Sequence, residues 1–351
     1  MKNIQTQLNE FVLPAEWEPQ SGVQLTWPHE GTDWKPYLHD IINTEVALAK
    51  AIARYEKVII VTQDVEKTKR HFSSDELNQI HFYCYPINDT WARDHGFITL
   101  LPRTAGKVPR LLDFKFNGWG EKFEAADDNR INGHLYQDST FKGEYSDQSD
   151  LVLEGGSIES DGKGTILTTS LCLLAPHRNQ PLTREDLENQ LKERLHADRV
   201  LWVDHGQLIG DDTDGHIDTT VRFAPDDTLV YVGCDDRSDP QYKDFKAMED
   251  QLKTFRTRNG KPYRLLRLPM PDVMMDGDER LPATYANFLV INGAVIYPTY
   301  HQPEKDRLAG EIIQEAFPER DIIAIDASTV VRQHGSLHCL TMQFPENIIL
   351  S

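Results

Sequence analysis

Ile217-Asp218-Thr219-Thr220-Val221-Arg222-Phe223-Ala224-Pro225-Asp226-Asp227-Thr228-Leu229-Val230-Tyr231-Val232 carries the clearest architectural signal in the chain. Two runs rich in β-branched and aromatic residues flank Pro225-Asp226-Asp227, a turn signal, so residues 217–232 read as an antiparallel strand pair. Beyond them Phe245, Met248, Leu252 and Phe255 recur at helical spacing until Asn259-Gly260 stops them, and Arg264-Leu265-Leu266-Arg267-Leu268 is again strand-like. Strand, turn, strand, helix, strand is the unit.

The same order recurs along the chain. Strand pairs are expected over 95–116, 157–169, 288–298 and 337–343, and Gly22-Val23-Gln24-Leu25-Thr26-Trp27 belongs to the same series. Helices are expected at 41–55, at Leu187, Leu191 and Leu195 behind a Thr183 cap with Asp186 at its third position, and at Leu308, Ile312 and Ala316. A third strand follows each: Val58-Ile59-Ile60-Val61, Val200-Leu201-Trp202-Val203 and Ile322-Ile323-Ala324-Ile325. No Ser-rich or Pro-rich linker interrupts them, so residues 1–351 read as a single domain of about five ββαβ-like units. Alternation alone also allows a doubly wound α/β fold.

Composition narrows the partners. Lys and Arg total 37 against 56 Asp and Glu, a formal charge of −19, which argues against nucleic acid or an anionic membrane and favours a small cation. No apolar run reaches membrane-span length and Met1–Thr6 is not followed by a leader's hydrophobic core, so a cytoplasmic protein is expected. Cys84, Cys172, Cys234 and Cys339 form no Cys-x-x-Cys pair, and the first three are expected to be buried fillers.

Cys339 differs by its setting. In Gly335-Ser336-Leu337-His338-Cys339-Leu340-Thr341 it has the small and polar neighbours of a nucleophile at a tight site. Far upstream, Asp211-Asp212-Thr213-Asp214-Gly215-His216-Ile217-Asp218 is the densest acidic cluster. It admits a metal-loop reading, but it lacks the terminal Glu of an EF-hand loop and a second His at helical spacing. On a strand, His216 and Asp218 share one face, which sets a proton carrier beside a carboxylate. Glu154, leading into Gly155-Gly156, is expected to accept a hydrogen bond from His216 and set its tautomer. Trp91 and Trp119 offer indole faces to a cation, and Asp94 adds a carboxylate; the structural alternatives are core packing for the indoles and a turn cap for the acid. Asp94, Glu154, His216 with Asp218, Asn287 and Cys339 all stand at or near the start of a strand pair, a shared register that would gather them in one cavity.

Asn88-Asp89-Thr90-Trp91-Ala92-Arg93-Asp94, Phe116-Asn117-Gly118-Trp119-Gly120, Leu153-Glu154-Gly155-Gly156-Ser157-Ile158, Arg178-Asn179, Asp214-Gly215-His216-Ile217-Asp218, Asn287-Phe288 and His338-Cys339 together resemble the agmatine deiminases. More broadly they resemble the bacterial-type peptidylarginine deiminases of the guanidino-group modifying superfamily, over about residues 17–343. The resemblance implies a five-bladed α/β propeller (pentein) of ββαβ units around a central site. It implies Cys339 as nucleophile, His216 as acid/base, Glu154 as its partner and Asp94 with Asp218 as the guanidinium clamp. Asn287 matches a family asparagine, Trp91 a stacking wall, and Asp212 a contact for a distal amine. The chain departs from the family at Gln333-His334 before the cysteine, at Glu159 where a His is usual, and at Thr169-Ser170-Leu171-Cys172 where paired acids are usual.

The implied reaction converts agmatine to N-carbamoylputrescine and ammonia through an amidino-cysteine, with no metal and no organic cofactor. The partner is a small cationic guanidino substrate, and a homo-oligomer is compatible with this reading. Alternatives are a peptidylarginine or free-arginine deiminase, a metal-dependent hydrolase and a non-catalytic polyamine-binding protein.

Overall fold

Residues 217–268 build the unit announced by their sequence in the computed structural model, which describes residues 10–350. Strand Val221–Ala224 pairs antiparallel with Thr228–Gly233, helix Tyr242–Leu252 crosses over, and Arg264–Pro269 returns parallel to Thr228–Gly233. A parallel return needs such a crossover, which is why a helix must stand third in the unit. Asp226 and Asp227 make the turn at φ 59° and 53°, a left-handed backbone that aspartate tolerates. Phe245, Met248 and Leu252 are the helix's buried face; Phe255 lies beyond its end.

Four more sheets repeat the order. Ile98–Pro102 pairs antiparallel with Arg110–Lys115, helix Asp128–Gln137 follows, and Glu144–Val152 returns parallel. Ile158–Ser160, Thr165–Thr169, helix Arg184–Arg194 and Arg199–Val203 form the next, the helix opened by the expected reciprocal Thr183–Asp186 cap. Leu289–Ile291, Ala294–Thr299, helix Pro303–Ala316 and Asp321–Asp326 form another. The last joins the two ends of the chain: Thr341–Pro345 pairs antiparallel with Gln20–Thr26, helix Leu38–Ala53 follows, and Lys57–Thr62 runs parallel to Gln20–Thr26, with Ile80–Cys84 beyond it. A small hairpin, Met274–Asp276 with Glu279–Leu281, stands outside the series.

Apolar side chains of neighbouring sheets share layers. Leu100 and Leu112 of one sheet pack in a cluster with Ile166 and Trp202 of the next, and Leu111 of that first sheet packs with Ile59 and Phe344 of the sheet that joins the chain ends. The apolar stripe of helix Pro303–Ala316 sits one residue from its expected position: Ala309, Ile313 and Ala316 are buried while Leu308 is exposed. Gly310 explains the shift, since a Cβ there would lie 2.8 Å from the Tyr297 hydroxyl, so the helix settles with its small residues against the strand.

Among the described residues no helix is long and apolar enough to cross a membrane. The Met1–Thr6 segment read for a leader lies outside the described residues.

Candidate active site

Five of the predicted site residues stand just ahead of the first strand of a ββαβ unit, whereas Trp119 follows the second strand of its sheet, Arg110–Lys115. Asp94 is in helix Ala92–His95, Glu154 precedes the single turn Gly155–Ser157, His216 opens the turn Ile217–Thr219, Asn287 precedes Leu289, and Cys339 precedes Thr341. The expected strand at His216-Ile217-Asp218 is therefore a 3-10 turn. Its backbone is taken up by local bonds, Thr219 N and Oγ1 both donating to His216 O, and a turn brings successive side chains round where a strand would send them to opposite faces.

The polar groups converge on Gly156. A Cβ there would lie 2.5 Å from His216 Nδ1, 3.0 Å from Asp94 Oδ1 and 3.1 Å from Asp218 Oδ2, so only a glycine permits this approach. Gly156 N donates to Asp94 Oδ1 at 3.0 Å, Trp119 Nε1 donates to Asp94 Oδ2 at 2.9 Å, and His216 Nδ1 lies 3.7 Å from Asp94 Oδ1. Trp119 holds this bond from a left-handed backbone, φ 56°, unusual for an aromatic residue.

Cys339 is held by Asn287. One side-chain oxygen, Asn287 Oδ1, accepts from His338 N at 2.9 Å, Cys339 N at 3.2 Å and Cys339 Sγ at 3.4 Å. Arg93 staples the same turn, its N and Nε donating to the carbonyls of Cys339 and His338. Trp91, Asp94, Trp119, Asp212 and Cys339 line one cleft together with Asp33, Asp89, Phe123 and His334. Gly335 lets Trp91 close one wall, because a Cβ there would lie 2.2 Å from the indole.

The site is polar, buried and incompletely bonded. Asp218 Oδ1, Glu154 Oε2 and both His216 ring nitrogens are buried with no hydrogen-bond partner, a costly state that a bound polar ligand would relieve. Burial pushes the Cys339 thiol well above its usual value, and the carboxylates of Asp218 and Asp94 push it further. Burial alone would lower His216, but Asp94, Cys172 and Glu154 overcome it and hold the imidazole well above its ordinary range. Asp94 is raised by burial against the pull of His216. Asp218 is lowered despite its burial, because His338 hydrogen-bonds it and His216 and Arg222 add positive charge.

Glu154 does not accept from His216. Arg178 Nε takes Glu154 Oε1 at 2.7 Å, and the same guanidinium reaches Asp214 Oδ2 and Thr213 O at 2.9 Å each. The planar fork of an arginine, two N–H groups in fixed geometry, outcompetes an imidazole for a buried carboxylate. One cysteine expectation changes, since Cys84 is exposed; Cys172 is buried as expected and lies beside His216 and Glu154, with a ligand atom of each within 4.8 Å of the others. Cys234 is buried as expected. In the Asp211–Asp218 cluster, Asp211 caps Thr213 N and Gly215 N, Asp214 pairs with Lys122 and Arg178, and Asp218 binds His338, so its carboxylates do not converge on an ion.

Behind the cleft lies a network that the sequence did not announce. His338 Nδ1 is 2.7 Å from Asp218 Oδ2 and Nε2 is 2.8 Å from Glu16 Oε2, while Arg222 binds both Glu16 and Glu159. Glu159, the departure after the Glu154 motif, is thus the partner of a buried arginine. Its period-2 position on strand Ile158–Ser160 was the available signal; Glu16, 322 residues from His338, offered none.

The family model described as Porphyromonas-type peptidyl-arginine deiminase matches residues 12–345. Agmatine deiminase of Stutzerimonas stutzeri is 32% identical, with 95% of each chain covered. A cysteine-to-serine agmatine deiminase of C. jejuni, solved with substrate bound, superposes with a TM-score of 0.88 at 34% identity, over 96% of this chain and 97% of that one. A Porphyromonas gingivalis protein provisionally named an arginine deiminase superposes with a TM-score of 0.92 at 47% identity, over 97% of this chain and 100% of that one. A chain matched this fully, with buried Cys339 and Asp94 in one cleft and His216 and Asp218 beside that aspartate at Gly156, belongs to the Porphyromonas-type peptidyl-arginine deiminase family, hydrolases of guanidino C–N bonds.

Proposed function

We propose that this chain is a single-domain agmatine deiminase that works through Cys339, with its five sheets as blades of a propeller around the cleft. One observation carries the substrate reading: the cleft is acidic at both ends and, among the described residues, no arginine lines it. Asp94 and Asp218 stand by Cys339, while Asp33, Asp89 and Asp212 line the approach. Arg178 is held by Glu154 and Asp214 and Arg222 by Glu16 and Glu159; Arg93 Nε donates to the carbonyl of His338, and its Nη2, which has no partner, lies outside the cleft wall. A substrate carboxylate finds no guanidinium in that wall; a second ammonium finds carboxylates.

In this reading Asp94 and the unpaired Asp218 Oδ1 take the planar guanidinium by charge-assisted hydrogen bonds, with Glu154 Oε2 on a further N–H. The arriving cation offsets the two carboxylates that keep the thiol protonated, so the thiolate forms against its substrate. Sulfur bonds to the guanidinium carbon, the C–N bond breaks, and ammonia leaves with a proton from His216. Water then adds to the amidino-thioether, giving its proton to His216; the C–S bond breaks, the ureido product departs and the thiolate is restored. Asn287 orients the cysteine, Trp91 and Trp119 wall the alkyl chain, and Asp212 faces the distal ammonium.

Free or C-terminal arginine is the second reading, and Asp212 itself favours it: burial and neighbouring Asp211 raise its carboxyl to about 6, which weakens repulsion of a substrate carboxylate. Parallel kcat/KM measurements on agmatine, arginine and a C-terminal arginyl peptide separate the two. Agmatine is expected to lead by a hundredfold or more, a difference of roughly 3 kcal/mol, and Asp212→Asn to narrow the gap; a lead for arginine overturns the agmatine assignment and leaves the deiminase chemistry in place.

A further inference from the structure

We propose that Glu154, Cys172 and His216 form a site for a Zn2+-class transition-metal ion, which acts there as a reversible inhibitor that excludes substrate. A carboxylate oxygen, a thiol sulfur and an imidazole nitrogen lie within 4.8 Å of one another, on side chains that are all fully buried. The donors have spare capacity. Arg178 occupies only Glu154 Oε1, leaving Oε2 without a partner, and neither ring nitrogen of His216 is hydrogen-bonded.

The donor set selects the ion. One sulfur, one nitrogen and one oxygen suit a tetrahedral Zn2+ with an open fourth position, whereas Ca2+ and Mg2+ require oxygen shells. The three donors stand on short, rigid turns: Glu154 before Gly155–Ser157, Cys172 in Ser170–Leu173, and His216 before Ile217–Thr219. Little reorganisation is needed to bring them onto one ion. Arg178 Nη2, 4.0 Å from Cys172 Sγ, opposes the cation but stabilises the thiolate that must form. On binding, a Zn–S bond forms as the Cys172 proton leaves to solvent; the His216 imidazolium likewise gives one ring proton to solvent, and the nitrogen so freed donates its lone pair to the ion; no electron changes hands.

His216 is also one of the three groups that crowd Gly156 with Asp94 and Asp218. An ion on His216 therefore stands against the guanidinium seat, and the two ligands exclude each other. The inhibitory part rests on the proposed role of His216 as proton carrier; metal binding does not.

The test uses a full-length chain carrying C84S, C234S and C339A, so that Cys172 is its only thiol. Zn2+ titrated against a chromophoric chelator is expected to bind at one ion per chain, and Co2+ to show a thiolate-to-metal charge-transfer band; both should vanish when C172S is added to this chain with its circular dichroism intact. If C172S does not fold, H216Q in the same triple variant serves instead, with metal affinity expected to fall at least tenfold. Absence of stoichiometric binding, or a Co2+ spectrum without the thiolate band, overturns the site. With the natural cysteines restored, Zn2+ should inhibit competitively with agmatine, and noncompetitive or absent inhibition overturns the inhibitory role. Failure of agmatine to turn over at all would strike the proposed reaction while leaving the metal titration to stand or fall alone.

Discussion

Cys339 is a thiol kept quiet by its own site: burial first, then Asp218 and Asp94, raise it well above the ordinary thiol range. A group raised in this way is protonated at neutral pH in the empty cleft. The rate of Cys339 alkylation by iodoacetamide is thus expected to climb with pH past 9 without reaching a plateau below it; a plateau near neutrality would mean that a preformed thiolate exists. Cys339→Ala should abolish ammonia release while the protein still binds the cation. At Asp94 and Asp218, replacement by Asn removes half of a charge-assisted pair in a dry site, at a cost of roughly 2–5 kcal/mol in transition-state stabilisation. Asp235→Asn is the control: its side chain is 84% exposed and pairs with Arg267 on the surface, so kcat/KM should stay within about 0.5 kcal/mol of the parent. Equal small losses at all three positions would refute the clamp.

At the scale of elements, the turns ahead of the strands hold the functional groups, and they are the places where local reading is weakest. Over 337–343, where a strand pair is expected, residues 337–340 turn and the single strand Thr341–Pro345 pairs with distant Gln20–Thr26. The other four expected strand pairs, the Thr183–Asp186 cap and the third strands were visible as periodicity and turn chemistry, because those follow from neighbours in sequence. The turn at Ile217–Thr219 was not, since its sequence also satisfies a strand and its geometry is set by packing. The Glu16–His338–Asp218 relay is the same lesson at longer range. Glu16 precedes strand Gln20–Thr26 and meets His338 only because Thr341–Pro345 pairs with that strand. Glu16→Gln should release His338 and through it Asp218, raising KM for the guanidinium. The stability loss should be less than the roughly 3–5 kcal/mol of a fully broken buried pair, because Glu159 still holds Arg222. Burial works against the Glu16 charge, but His338 and Arg222 overcome it and hold the carboxyl well below the ordinary carboxylate range. A depressed carboxyl contributes stability above its unfolded value and loses it as pH falls. Urea midpoints of parent and Glu16→Gln should therefore differ at pH 7 and converge below pH 4.5; a constant gap would assign the effect to packing.

Over the whole molecule, charge and closure matter most. A formal −19, with Asp33, Asp89 and Asp212 at the cleft, should steer a dication, so kcat/KM for agmatine is expected to fall as salt is raised from 20 to 200 mM at constant pH. An unchanged value would show that encounter is not electrostatically guided. The chain's own order determined the ββαβ units, their turns and caps, the acidic balance and the identity of the reactive residue types, because each depends on composition or on residues a few positions apart. Tertiary structure alone decided that Arg178 rather than His216 takes Glu154, that Asn287 holds Cys339, that Glu159 and Glu16 share Arg222, and that Cys172 sits beside His216. Those choices are contests between buried polar groups for few partners. Their outcome depends on distances set when separate sheets, and the two ends of the chain, are brought to one place.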